Sequence, residues 1–171
     1  MTVDTTDCQI QEPTVKGGME KSGRWLPFNP AWYSHKFKAA GLRYEVAVNI
    51  QTGDIVWLNG PFPCGKMNDI AIFKSKLLKK LDPGEMVEAD GIYRGVEGVR
   101  SKGDYFSKTD KKAKGRARAR HETENSRFKF WKCTSDIWRH QLFKHKIAFT
   151  SVVVITQLTF EAGEGPFQCT Y

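Results

Sequence analysis

The sequence predicts a mixed α/β domain, and three observations carry that reading. Leu42, Tyr44, Val46, Val48 and Ile50 alternate with other residues at the period of a strand. Ile70, Phe73, Leu77, Leu78 and Leu81 recur at helical spacing. Between that helix and a later helical region, the short run Met86-Val87-Glu88-Ala89 reads as a strand that delivers Asp90 at its end. At 171 residues, with 40% hydrophobic and 12% aromatic content, the chain suits one globular domain spanning residues 1–171.

Taken in order, Thr2-Val3-Asp4 reads as the end of a first strand of which only a stub is present. Residues 12–31 are rich in Gly, Pro and Lys and read as a loop. The strand from Leu42 turns at Gln51-Thr52-Gly53-Asp54 and returns through Ile55-Val56-Trp57-Leu58, which predicts a hairpin over 42–58. Gly60-Pro61-Phe62-Pro63 is expected to end it. Asn68 or Asp69 can cap the next helix, and Pro83-Gly84 stops it.

Residues 100–120 form a basic tract with Arg100, Lys102, Lys108, Lys111, Lys112, Lys114, Arg116, Arg118 and Arg120, against two acids, Asp104 and Asp110. A helix is predicted over 119–131, with Phe128 and Trp131 three apart on one face. A second helix is predicted over Ile137–Lys146, and a third from about Phe149 to Phe160, where β-branched residues weaken helix propensity.

The formal net charge is +8, which favours a polyanionic partner such as nucleic acid. No apolar run approaches the ~18 residues that span a bilayer. The four cysteines, Cys8, Cys64, Cys133 and Cys169, show no Cys-x-x-Cys pair, and the four histidines, His35, His121, His140 and His145, have no metal-ligand spacing with them. The histidines read as surface or DNA-contacting residues. The basic tract is either a solvated helix face or a contact to a DNA backbone.

Two-metal phosphoryl transfer needs carboxylates converging on a small volume, because two divalent ions ~3.5–4 Å apart clamp the attacking and leaving oxygens. Asp4, Asp90 and Glu122 are of the right type, at separations of 86 and 32 residues. Three acids among 19 do not single themselves out.

A longer pattern does. Tyr33-Ser34-His35-Lys36-Phe37, the hairpin Gly41-Leu42-Arg43-Tyr44-Glu45-Val46, Gly60-Pro61-Phe62-Pro63 through Asn68-Asp69-Ile70, Glu88-Ala89-Asp90-Gly91-Ile92-Tyr93-Arg94-Gly95, Arg120-His121-Glu122-Thr123-Glu124-Asn125-Ser126-Arg127-Phe128-Lys129 and Leu158-Thr159-Phe160-Glu161 follow one another in this chain. Together they resemble the DDE superfamily endonucleases of Harbinger-type transposons over nearly the whole length.

That resemblance implies an RNase H-like mixed sheet flanked by helices, here with its first strand truncated. It also implies a DDE triad of Asp4, Asp90 and Glu122 with magnesium or manganese, and a metal-dependent DNA endonuclease and strand-transfer activity. Asp4-Thr5-Thr6 stands where the family has Asp-Gly-Thr, and Asp90-Gly91-Ile92-Tyr93 carries Ile92 where a Gly is usual. Arg127 and Lys129 follow the Glu as the family pattern has them. Asp69 matches a further acid of the family and is a fourth metal ligand, an alternative second ligand, or a helix cap.

Asp7 stands as an alternative to Asp4. Glu124 is an alternative to Glu122 that a helix would turn to a different face. The expected DNA-binding set is Lys108, Lys111, Lys112, Lys114, Arg116, Arg118, Arg120, Arg127 and Lys129. The loop from Thr14 to Leu26 is longer than the family's. The family carries a helix-turn-helix region before the core, which this chain is expected to lack, so a separate DNA-binding partner protein that supplies it is expected. Family membership and the basic tract, readable as an import signal, imply a nuclear location; a homo-oligomer is also expected, and the alternative reading is an inactive DNA-binding remnant.

Overall fold

The structure is a computed structural model that describes residues 1–13, 28–101 and 107–169. The predicted loop Thr14–Leu26, and Lys102 and Asp104 of the basic tract, lie outside the described residues. The architecture is mixed α/β: a six-stranded mixed sheet with helices on both faces.

The strands are β1 (Thr2–Gln9), β2 (Tyr33–Ser34), β3 (Ala39–Val48), β4 (Ile55–Pro63), β5 (Val87–Glu88) and β6 (Val99–Arg100). Across the body of the sheet the order is β4-β3-β1-β5-β6, and β2 pairs with the start of β3. β3 runs antiparallel to both β1 and β4, whereas β1–β5 and β5–β6 are parallel. The helices are α1 (Asp69–Ser75), α2 (Lys108–Phe128), α3 (Lys132–Ser135) and α4 (Leu142–Thr159).

The first strand is not the expected stub. β1 continues through Gln9 and pairs with β3 from Thr2↔Val48 to Gln9↔Gly41. Asp4 therefore lies inside a strand rather than at its end. The expectation failed because Asp4, Thr5, Thr6 and Asp7 interrupt the apolar alternation that marks a strand, although Thr itself favours one; the neighbouring ladder holds their backbone.

The hairpin forms as predicted and extends further at both ends. Gly60-Pro61-Phe62-Pro63 does not end it, since Phe62 and Pro63 still pair with Arg43 and Leu42. Its turn is built by Asn49, whose side-chain oxygen accepts from the Gln51 amide at 2.8 Å, with Gly53 at φ 86°.

Two cores sit on the two faces. Even-numbered residues of β3 (Leu42, Tyr44, Val46, Val48) join Cys8, Phe128, Phe149, Val152 and Val153 under α2 and α4. Odd-numbered Val3 and Ala47 join Phe73, Leu77, Val87, Tyr93 and Val99 under α1. In the first core the Tyr44 and Phe149 rings stack at 3.9 Å between centroids.

The largest departure is α2. It begins at Lys108, capped by Ser107, whose hydroxyl accepts from the Asp110 amide at 3.0 Å, and so absorbs most of the basic tract. Its buried positions, Ala117, Arg120, His121, Glu124 and Phe128, have helical spacing but are mostly polar, so an apolar stripe could not betray them. The helix ends at Phe128, and Trp131 is exposed beyond it instead of sharing its face.

The helix predicted over Ile137–Lys146 does not exist as such. Residues 137–141 lie outside any helix, with Trp138 bridging Ile10, and one continuous helix spans 142–159. Its β-branched residues are accommodated because burial of Phe149, Val152 and Val153 outweighs a propensity deficit of a few tenths of a kcal/mol per residue.

Phe149 touches both the sheet and α2 through Tyr44 and Phe128. Phe149→Ala is therefore expected to cost ~3–5 kcal/mol of stability, read as a lowered midpoint in urea denaturation with an unchanged slope.

Candidate active site

Strand alternation decides which acids of β1 meet which helix. Side chains at even positions of β1 point toward α2: the Thr2 hydroxyl lies 2.8 Å from His121 Nδ1, and Asn125 Nδ2 donates to Asp4 Oδ2 at 3.2 Å. Side chains at odd positions point the other way: the Thr5 hydroxyl donates to Asp69 at 3.0 Å, and Asp7 is paired with Arg43 at 2.7 Å.

On the α2 side a cavity opens, lined among others by Asp4, Glu88, Asp90, Lys114, Arg118, His121 and Glu122. The three acids expected to act together thus converge on one cavity from β1, from the residue after Ala89 that follows β5, and from α2. Asp90 caps the short turn of 3-10 helix Gly91–Tyr93, accepting from the Gly91 amide at 2.5 Å. Burial pushes the Asp4 carboxyl up to about 6, and the nearby Asp69 and Asp90 add to that, against the Thr5 amide and Arg118.

Arg118 stands among these carboxylates. Its guanidinium pairs with Asp90 at 3.0 Å and with Glu122, one turn along the same helix, at 3.1 Å. As the side chains stand, no three Asp, Glu, His or Cys residues among those described are close enough together to hold a metal ion. The donor set nonetheless fits magnesium or manganese in kind, being hard carboxylate oxygens around a desolvated acid. The positive charge such a cluster calls for is supplied here by Arg118.

The alternatives separate cleanly. Asp69 is not in the cavity lining; it pairs with Arg43 at 2.9 Å on the other face of β1. The helix cap is Asn68, whose side chain accepts from the Ala71 amide at 2.8 Å. Asp7 is buried, and although burial alone would raise it, hydrogen bonds from Arg43 and Ser34 and the Arg43 charge hold its carboxyl below the usual range. It is committed to a structural pair.

Glu124, two residues past Glu122, turns into the interior as helix geometry requires, where it is 0% exposed. Neither of its oxygens has a hydrogen-bond partner among the described residues. Burial pushes it up to about 8, against the pull of Arg120 and Arg127.

The basic set also divides. Lys108, Lys111, Lys112, Arg116 and Arg118 are exposed on α2, and Lys114 reaches into the cavity beside Glu88 at 3.5 Å. Three residues do not belong to an outer DNA-binding face. Arg120 is buried and donates to the carbonyls of Asn49 and Ile50. Lys129 donates to the carbonyls of Asp7 at 2.6 Å and Thr134 at 3.2 Å. Arg127 lies over the Phe160 ring at 5.0 Å and donates to the Glu164 carbonyl. Arg120 and Lys129 complete backbone groups that burial would otherwise leave unsatisfied, and Arg127 holds a carbonyl at the surface, uses that charge counting does not distinguish from surface display.

Sequence reasoning missed Glu88, His121 and Asn125 as site residues. His121 and His145 are not surface residues as expected: both are buried, and burial lowers each to about 4, so both rings are neutral at pH 7. Reading β1 as a full strand would have put Thr2 and Asp4 on one face by strand alternation, the only signal pointing toward His121 and Asn125.

No protein-family model, curated protein or solved structure matches this chain. Among the described residues, no helix is long and apolar enough to cross a membrane.

Glu124 generates a pH prediction. A carboxyl neutral up to about 8 in the fold but ionising from 4.5 when unfolded binds more protons folded, so its contribution to stability is full below 4.5 and is lost as pH rises toward 8. Glu124→Gln removes that dependence. Denaturation at pH 5, 7 and 9 should show the variant gaining at least ~2 kcal/mol over wild type between the extremes; parallel stability curves would refute it.

Proposed function

We propose that this chain is the catalytic core of a metal-dependent DNA endonuclease of the cut-and-paste transposase kind, with an RNase H-like fold. The observation that carries the reading is the convergence of Asp4, Asp90 and Glu122 on one cavity, from a strand, a strand end and a helix far apart in sequence. The order β4-β3-β1-β5-β6, antiparallel on one side of β1 and parallel on the other, supports the RNase H-like assignment. So does the sequence resemblance to Harbinger-type DDE endonucleases.

Asp4, Asp90 and Glu122 would hold the cation, with Asp69 a candidate only if it left Arg43. Magnesium or manganese supplies a Lewis acid that lowers the pKa of the attacking water and neutralises charge on the phosphodiester. The chain's own contribution is to gather the carboxylates, keep Asp4 partly dry, and lead the DNA backbone in. Water oxygen forms a bond to phosphorus while the bond to the 3′ oxygen breaks, leaving a 3′-hydroxyl. In strand transfer that hydroxyl attacks a target phosphodiester in turn.

Lys111, Arg118 and Glu122 lie on one stripe of α2, at spacings of seven and four residues, so a backbone tracked by the exposed cations is led toward Glu122. Arg118 must release Asp90 and Glu122 for a cation to take its place. DNA is the partner of this reading, and a nuclear site of action follows from that role.

A second reading, an inactive DNA-binding remnant, is favoured by Arg118 itself, which neutralises two of the three acids.

Plasmid nicking with manganese separates the two. Asp90→Ala and Glu122→Ala should each lose at least ~100-fold of the wild-type rate; equal nicking by all three removes the assigned triad. Salt-sensitive DNA binding without nicking by wild type selects the remnant. In either case Lys111→Ala with Lys112→Ala should reduce the slope of log affinity against log salt by about 2, measured by fluorescence anisotropy on duplex DNA.

A further inference from the structure

Helix α4 is apolar on two opposite sides. Its inner side, with His145, Phe149, Val152, Val153 and Thr156, is buried against the sheet and α2. Its outer side carries Phe143, Ile147, Val154 and Leu158, exposed by 62%, 61%, 51% and 56%. At 3.6 residues per turn these four fall within about 60° of one another, and nearly opposite the buried face. Isolated exposed apolar residues are ordinary, but a full-length stripe on an already docked helix is the signature of a second packing surface.

The spacing says what fits it. The intervals are four, seven and four residues, the pattern of a helix-pairing seam. They also read the same in both directions about the midpoint between Thr150 and Ser151. A second identical helix laid antiparallel therefore sets Phe143 against Leu158 and Ile147 against Val154 at every apolar position, with the small residues Thr150 and Ser151 at the centre.

Charge follows the same symmetry. Arg139 and His140 precede the helix, Glu161 and Glu164 follow it, and all four are exposed. Antiparallel pairing brings the acidic end of each copy beside the basic end of the other, whereas parallel pairing would stack like charges. Beside the C-terminal half of the stripe lies a groove lined by Phe130, Trp131, Ile155 and Thr159, at the end where Phe143 of the second copy would arrive.

We propose that this chain pairs with a second copy of itself through the outer face of α4, antiparallel about a two-fold axis at Thr150–Ser151. The interface is isologous, as a closed dimer requires. The proposal stands independently of the metal chemistry.

Sedimentation of the full chain from ~1 to ~100 μM tests it, a range that covers weak to moderate dimers. Wild type should associate to a dimer, and Ile147→Glu, which places a charge from each copy in the seam, should weaken association on the order of 100-fold. Circular dichroism checks that this exposed substitution leaves the fold intact. Orientation is read by a short thiol cross-linker, with wild type giving the background of native cysteines. Arg139→Cys mixed with Glu161→Cys should cross-link between chains, and each variant alone should not. A wild type monomeric throughout overturns the proposal. So does Ile147→Glu associating as wild type does, or each cysteine variant cross-linking to itself and not to the other.

Discussion

The ladder between β1 and β3 holds eight residue pairs in one register, and that register assigns a face to every side chain of β1. A slip by one residue would exchange Asp4 and Thr2 for Thr5 and Val3 on the α2 side. Asp4 would then meet α1 and Arg43, and the cavity would lose one of its three acids. The register is secured by burial, since β3 packs Leu42, Tyr44, Val46 and Val48 into one core and Ala47 into the other. The candidate site is thus a consequence of apolar packing on the neighbouring strand.

Helix α2 serves this site through an unusual economy of charge. It displays cations outward, turns Arg118 and Lys114 toward the carboxylates, and buries Arg120, His121 and Glu124. Arg120 is anchored on the carbonyls of the β3–β4 turn, and His121 on Thr2 of β1, so polar contacts dock this helix where an apolar stripe would ordinarily do so. Glu124 has no such partner among the described residues, and burial favours its neutral form. The helix that brings Glu122 to Asp4 is therefore docked partly at a cost in stability.

Arg118 links fold and chemistry most directly. A guanidinium bridging Asp90 and Glu122 satisfies them in the absence of another cation and keeps the strand end and the helix together. Lys114 beside Glu88 does the same deeper in the cavity. Four carboxylates thus line the cavity against two cations, and a cation that draws on Asp90 or Glu122 must displace Arg118, whereas Asp4 has, among the described residues, only the Thr5 amide and Asn125 to release.

By itself the sequence determined the mixed α/β class, the hairpin and the α1 region, and it singled out three acids that share one cavity. Each of these rests on local periodicity or on an ordered run of short motifs. It did not determine the length of β1, the start of α2 or the continuity of α4. Polar strands, charged helices and β-branched helices carry no local signature, and they form because neighbouring elements supply ladder bonds and burial. Only the tertiary structure placed Asp69 and Asp7 on the far side of β1 from Asp4, sent Arg120, Arg127 and Lys129 to backbone carbonyls, and brought His121 and Asn125 beside the site. Facing is a property of register and helix rotation, and those are set by contacts between residues that the sequence lists far apart.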